Sequence, residues 1–160
     1  MVFLLVFLLG ASYAQVDESK KMGMALYGEL GGKGYLSVNV DFPLSNKSRI
    51  GFGMTVLDYE LVNELDPKMT DVHPWPSPGI MYYYLLGKES NFFELGAGMS
   101  VSPMPWKSYG KNDSATSIHG CIGYRYQKSN GLLFRVGFTP FYRINWAFLP
   151  LGGVSLGYSW

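Results

Sequence analysis

Apolar and polar residues alternate along long stretches of this chain. In residues 34–42, Leu36, Val38, Val40 and Phe42 alternate with Tyr35, Ser37, Asn39 and Asp41, and a two-residue period places the two sets on opposite faces of an extended strand. Residues 49–59 repeat the pattern, with Ile50, Phe52, Met54 and Val56 set against Gly51, Gly53 and Thr55. In residues 92–102, Phe93, Leu95, Ala97, Met99 and Val101 alternate with Glu94, Gly96, Gly98 and Ser100. Read with the turn residues between them, such runs predict eight strands, at 22–31, 34–42, 49–59, 79–88, 92–102, 116–127, 131–142 and 151–160.

The residues opposite the apolar set decide what the strands build. A water-soluble sandwich exposes long polar side chains, whereas here large apolar residues are set against Gly, Ser, Thr and isolated charges. That combination predicts an all-β fold turned inside out: an eight-stranded, antiparallel, up-and-down transmembrane β-barrel with lipid outside and a narrow polar interior. Glycine weakens a strand, and a crowded small-barrel lumen gives its repetition a reason.

The connections agree. Pro43–Ser48, Lys88–Asn91 and Lys128–Asn130 are short, while residues 60–78 and 103–115 are long, as in barrels with long external loops. Gly32-Lys33 departs from this rule, being a tight hairpin turn on the external side. Trp75, Trp106, Trp146 and Trp160 fall at or near predicted strand ends, the first three externally, where amphipathic rings act as interfacial anchors.

Composition narrows the alternatives. Of 160 residues, 16% are charged and 16% aromatic, with 20 Gly. After residue 14 no run approaches the roughly 20 apolar residues of a spanning helix, so a membrane protein of this kind crosses as strands. A net charge of +1, with Lys and Arg scattered, supplies no basic surface for nucleic acid. Cys121 is the single cysteine, which excludes an intramolecular disulfide and fits a small packing residue.

At the N-terminus, Val2–Leu9 form an apolar core followed by Gly10 and Ala11-Ser12-Tyr13-Ala14, the pattern of a cleavable signal peptide with its cut before Gln15. No Lys or Arg precedes that core, which leaves the start of the signal open and a buried strand as the other reading. The expected organisation is a signal peptide at 1–14, a polar lead-in at 15–21 and the barrel at 22–160.

In GGVSLGYSW, Val154, Leu156, Tyr158 and Trp160 alternate with Gly153, Ser155, Gly157 and Ser159. This resembles the terminal β-signal by which the barrel assembly machinery recognises outer-membrane barrels. With the leader and the alternating strands, the whole mature chain resembles the eight-stranded OmpX and OmpA type barrels in architecture. IGYRYQKSNGLLFRVGFTPFY and GGVSLGYSW are similar to the tails of small, uncharacterised outer-membrane β-barrel proteins of Bacteroidota. These resemblances imply a bacterial outer-membrane location with both termini periplasmic, and carry no catalytic residues across.

Candidate chemistry lies on the inward parity. Glu29, Asp41 and Glu94 share it with His119, Arg125 and Arg135, and opposite charges in so narrow a space predict a lumenal salt-bridge network. Such a lumen is filled by side chains, so no wide pore is expected. Ser117 and His119 raise lipid hydrolysis of the lipid A deacylase kind, but their order, Ser-x-His, reverses that family's His-x-Ser, and no acid is evident beside them. His73, Asp66 and Asp71 match no metal-ligand spacing, so neither metal nor cofactor is expected.

The long connections carry aromatics, prolines and polar residues suited to contacting a partner. The function expected is therefore a structural or interaction barrel without catalysis, in contact with outer-membrane lipid and, during biogenesis, the assembly machinery. Two other readings stay open: an envelope lipid-modifying enzyme, and a soluble lipocalin-like barrel with an apolar interior and polar exterior.

Overall fold

The computed structural model describes residues 22–61, 70–73, 76–102, 115–144 and 147–160. The expected signal peptide and lead-in lie outside them. The described strands are β1 (Ala25–Gly31), β2 (Leu36–Pro43), β3 (Ser48–Leu61), β4 (Thr70–His73), β5 (Ser77–Lys88), β6 (Asn91–Ser102), β7 (Ala115–Gln127), β8 (Gly131–Arg143) and β9 (Ala147–Ser159).

Eight of the nine close into a ring. Neighbours run antiparallel in the order β2-β1-β9-β8-β7-β6-β5-β3, and β3 pairs back onto β2. The seam between first and last strands runs from Ala25↔Ser159 to Gly31↔Gly153. Closure gives every one of these strands two partners and leaves no free edge to template association. β4 lies outside the ring and pairs only with the end of β3, Asp58 to Leu61 against His73 to Thr70. Part of the connection expected at 60–78 is therefore a hairpin that prolongs the wall.

Two ends are distinguished by their connections. At the turn end, Ser48 N–H donates to Ser45 Oγ at 3.1 Å, and Glu89 and Asn130 adopt positive φ (58° and 60°) to reverse the chain. At the loop end, β1 passes to β2 through four residues, 32–35, entered through Gly31 and Gly32 at φ 74° and 73°. That conformation disfavours a side chain bearing Cβ.

Two strand limits differ from the sequence expectation by more than two residues. β1 starts at Ala25, because its partner strand β9 ends at Ser159; beyond that, Met24 C=O only accepts from Trp160 N–H at 3.1 Å. β9 starts at Ala147, upstream of Pro150, which faces Pro140 across β8–β9. Proline has no N–H to give a ladder. The β7–β8 pairing is interrupted there as well, passing from His119↔Phe141 to Ile122↔Phe138 without a change of register.

The wall sorts residues in the sense opposite to a soluble barrel. Arg49, Arg125 and Asp41 are 0% exposed, while Leu156 is 62%, Leu30 60% and Phe148 60% exposed. A lipocalin-like barrel requires the reverse arrangement, so that reading is set aside. Inward glycines make room for large lumenal side chains. A Cβ on Gly51 would lie 2.9 Å from Tyr83 Cε2, and one on Gly96 2.8 Å from Tyr83 Cδ1. At the turn end the lumen is filled by Met22 against Leu85 and Phe92.

Gly28 faces outward with nothing within 4 Å of its missing Cβ. Gly96→Val is expected to destabilise the refolded barrel by about 1–3 kcal/mol through overpacking against Tyr83, whereas Gly28→Ala is neutral or stabilising by up to ~1 kcal/mol. Urea midpoints in detergent micelles check both, and equal midpoints for the two variants would contradict the inward placement of Tyr83.

Candidate functional site

The strands deliver five charged groups to the middle of the lumen: Asp41 from β2, Arg49 from β3, Glu94 from β6, Arg125 from β7 and Arg135 from β8. They form a chain of alternating sign. Arg49 donates from Nε and Nη2 to Asp41 Oδ1 at 2.9 and 2.7 Å. Arg125 spans the two acids, with Nη2 at 2.7 Å from Asp41 Oδ2 and Nη1 at 3.0 Å from Glu94 Oε2, while its Nε donates to Gln127 Oε1 at 2.8 Å. Arg135 Nε donates to Glu94 Oε1 at 3.0 Å, and its Nη2 is closer still to the same oxygen.

This order answers an electrostatic problem set by the register. Arg125 and Arg135 stand directly opposite each other on β7 and β8, an arrangement of like charges that repels. Glu94 accepts from both and holds them together. The Arg135 guanidinium also lies 4.8 Å from the centroids of Tyr27 and of Tyr83, whose hydroxyls meet at 3.2 Å. Two aromatic faces thus share the charge of the terminal arginine in the chain.

Glu29 belongs to a second group. Lys33 folds into the lumen from the β1–β2 turn, with Nζ 3.9 Å from Glu29 Oε2 and donating to Asn39 Oδ1. Ser37 Oγ donates to Glu29 Oε2 at 3.2 Å and accepts from Asn39 Nδ2 at 2.9 Å. Between the two groups lies a small cavity lined by Glu29, Glu94, Cys121, Arg135, Thr139 and Ser155. The buried Cys121 Sγ donates to Glu94 Oε1 at 3.3 Å.

His119, grouped with the charged set on parity, is seated elsewhere and joins no ion pair among the described residues. It lies toward the loop end, with Nε2 2.7 Å from Ser100 Oγ and its ring 5.6 Å from that of Phe141. Ser117 engages Arg143 Nε at 3.4 Å instead. His119 Nδ1 is buried without a partner, so no carboxylate orients the imidazole as hydrolysis by a Ser, His and acid set requires.

Several lumenal residues escaped the sequence reading. Arg49, the first residue of the strand expected at 49–59, shares the parity of Gly51, Gly53 and Thr55 and was readable from alternation there, while Arg143 shares that of Arg135 and lies one residue past the limit expected at 142. Tyr27 shares the inward parity of Glu29 and is found the same way, whereas Tyr83 sits in the run Met81 to Leu86, where no alternation marks a face. Lys33 carries no such signal either, because its backbone is in a turn.

On the outer face, Val154, Leu156, Tyr158 and Trp160 are all exposed, and the Trp160 ring stacks on Tyr158 with centroids 6.4 Å apart. Tyr158 Oη donates to Asn130 Oδ1 at 2.9 Å, fixing an aromatic at the turn end. Trp75, Trp106 and Trp146 lie outside the described residues, as does Asp66; for His73 and Asp71 only the β4 backbone is described. Among the described residues no three His, Cys, Asp or Glu side chains are placed to hold a metal ion.

Fold and lumen together define a closed, eight-stranded antiparallel β-barrel with an ion-paired interior and an apolar exterior. Its fold is similar to that of the N-terminal β-barrel domain of OprF from Pseudomonas aeruginosa, solved by crystallography. The TM-score is 0.60 at 10% sequence identity, over 87% of this chain and 96% of that one. No family model matches the sequence, and no curated protein matches it.

Removing Glu94 leaves two buried guanidinium groups facing each other. Glu94→Gln is expected to cost about 3–5 kcal/mol of unfolding free energy, and the double variant with Arg135→Gln less than the sum of the singles. A double-mutant cycle by urea unfolding in micelles measures this; additive losses would show that the two groups do not act together.

Proposed function

We propose that this chain is a small bacterial outer-membrane protein whose barrel spans the bilayer, with its turn end and both termini on the periplasmic side. Its role is structural or one of interaction through the loop end, without catalysis. The observation that carries the reading is the inverted sorting of the wall: ion-paired residues at 0–5% side-chain exposure inside and a continuous apolar surface outside. Water would leave that surface unsatisfied, whereas hydrocarbon accepts it and requires every strand to be paired.

The fold shared with the OprF barrel domain supports the same setting. In this reading Val154, Leu156, Tyr158 and Trp160 are the recognition signal for the assembly machinery. The connections beyond β3 and β6 then contact an external partner. The lumen is a packed plug and not a wide pore, because the arginine–carboxylate chain crosses it and Met22, Leu85 and Phe92 fill its turn end.

The reading is tested in cells expressing the full chain. The protein is expected in the outer-membrane fraction, resistant to carbonate extraction and migrating as a folded, heat-modifiable band; recovery in the aqueous phase overturns it. Trp160→Ser is expected to lower the folded membrane fraction several-fold, with the purified protein refolding normally in detergent. Planar bilayers containing the wild type are expected to lack porin-sized conductance steps.

A further inference from the structure

Above the closed ring the wall is not equally high all round. The β1–β9 ladder ends at Gly31↔Gly153 and the β2–β3 ladder at Leu36↔Leu57, so on this side the ring stops at the β1–β2 turn. Both flanking strands run on. β9 continues through Leu151 to Ala147 with pairing to β8 alone, and β3 through Asp58 to Leu61 with pairing to β4 alone. The register of β4 continues that of β5 with a shift of one residue, Asp58↔His73 following Thr55↔Ser77. β4 therefore lies on the β5 side of β3, and the side toward β9 is open among the described residues. The result is a notch two strands wide, roughly 10 Å at the usual spacing between strands.

The β9 flank is apolar on both faces. Outward, Phe148 and Pro150 are exposed, and Gly152 faces open space, since a Cβ there would meet only Gly137 O at 3.6 Å. Inward, Leu149 and Leu151 share the parity of their β8 partners Phe141 and Thr139. Those partners are buried, whereas both leucines are half-exposed, because no strand lies on their β1 side. The backbone of this flank is a poor template for a further strand. Gly32 N–H donates to Gly152 C=O at 3.1 Å, so Gly152, Pro150 and Phe148 are the residues of β9 whose backbone groups face the notch. Proline has no N–H, which leaves Phe148 as the one donor between Ala147 and Leu151.

We infer that the notch seats an acyl chain of a lipid from the leaflet at the loop end, passing over Gly152 from the outer wall to Leu149 and Leu151 at the mouth of the lumen. The outer wall reaches the notch floor with the outward pair Leu30 and Val154, 60% and 47% exposed. Between that pair and the inward leucines lie only Gly31, Gly152 and Gly153, so an apolar surface runs through the gap without a polar side chain in its path. Covering the exposed area of Leu149 and Leu151 with hydrocarbon instead of water supplies the driving force. The inference rests on the proposed membrane setting and adds to it a place where lipid enters the wall.

The test is methyl NMR on the full chain refolded into dimyristoyl phosphatidylcholine nanodiscs, reading NOEs from leucine methyls to acyl-chain protons. Leu156, outward and 62% exposed, reports the membrane setting itself, and Leu133, inward and 0% exposed, reports the background. Contacts at Leu149 and Leu151 as well as at Leu156, and none at Leu133, are expected. Gly152→Phe, which fills the path on the outer face, is expected to weaken the contacts at Leu149 and Leu151 several-fold and to leave that at Leu156 unchanged; undiminished contacts in the folded variant overturn the route. Contact at Leu156 but at neither notch leucine overturns the inference and leaves the membrane setting intact, whereas loss of the Leu156 contact as well overturns both. Water in the notch, seen as relaxation of Leu149 and Leu151 by a soluble gadolinium chelate in place of lipid contact, overturns it too. So does a second copy, seen as contacts between differently labelled chains. Where Gly152→Phe fails to fold, the comparison among these leucines in the wild type decides alone.

Discussion

Closure of a narrow ring is the constraint on which the rest of this structure depends. Once eight strands pair around a lumen only side chains wide, each inward residue meets residues from strands remote in sequence, as Asp41 and Arg125 do across 84 positions. No inward charge can be placed without a partner, since water is scarce and the local dielectric low. The alternation of arginine and carboxylate from Arg49 to Arg135 is the solution reached here, and Tyr27 and Tyr83 complete it where the acids run out.

The same constraint explains features that look unrelated. Large lumenal side chains require small neighbours, hence glycine at 51 and 96 around Tyr83. The outer face is free of such crowding, which is why Gly28 there meets nothing. Paired strands on every side remove the need for edge protection, so apolar residues run to the strand ends, finishing in the stacked pair Tyr158 and Trp160.

Much of this was legible in the sequence because the period of two is a local property. Leu36 to Phe42 and Val154 to Trp160 announce their strands without reference to anything distant, and parity alone sends Asp41, Glu94, Arg125 and Arg135 inward. What parity cannot say is which inward residues share a height in the barrel, because that depends on register around the ring. Hence His119 was grouped with the ion pairs although its neighbours are Ser100 and Phe141. Lys33 was missed for a related reason: its backbone belongs to a turn, and only its long side chain reaches the lumen.

The prolines facing each other on β8 and β9 bear on how the wall yields. Where Pro140 interrupts pairing with β7, Gly120 and Cys121 keep their partners on β6 but have none on β8. The β7–β8 ladder is thereby divided into a short upper zipper, Ser117 to His119, and a longer lower one, Ile122 to Gln127. Zippers separated by such a gap open as distinct cooperative units. Opening of the upper segment along this seam therefore leaves the pairing of Ile122 to Gln127 below it intact.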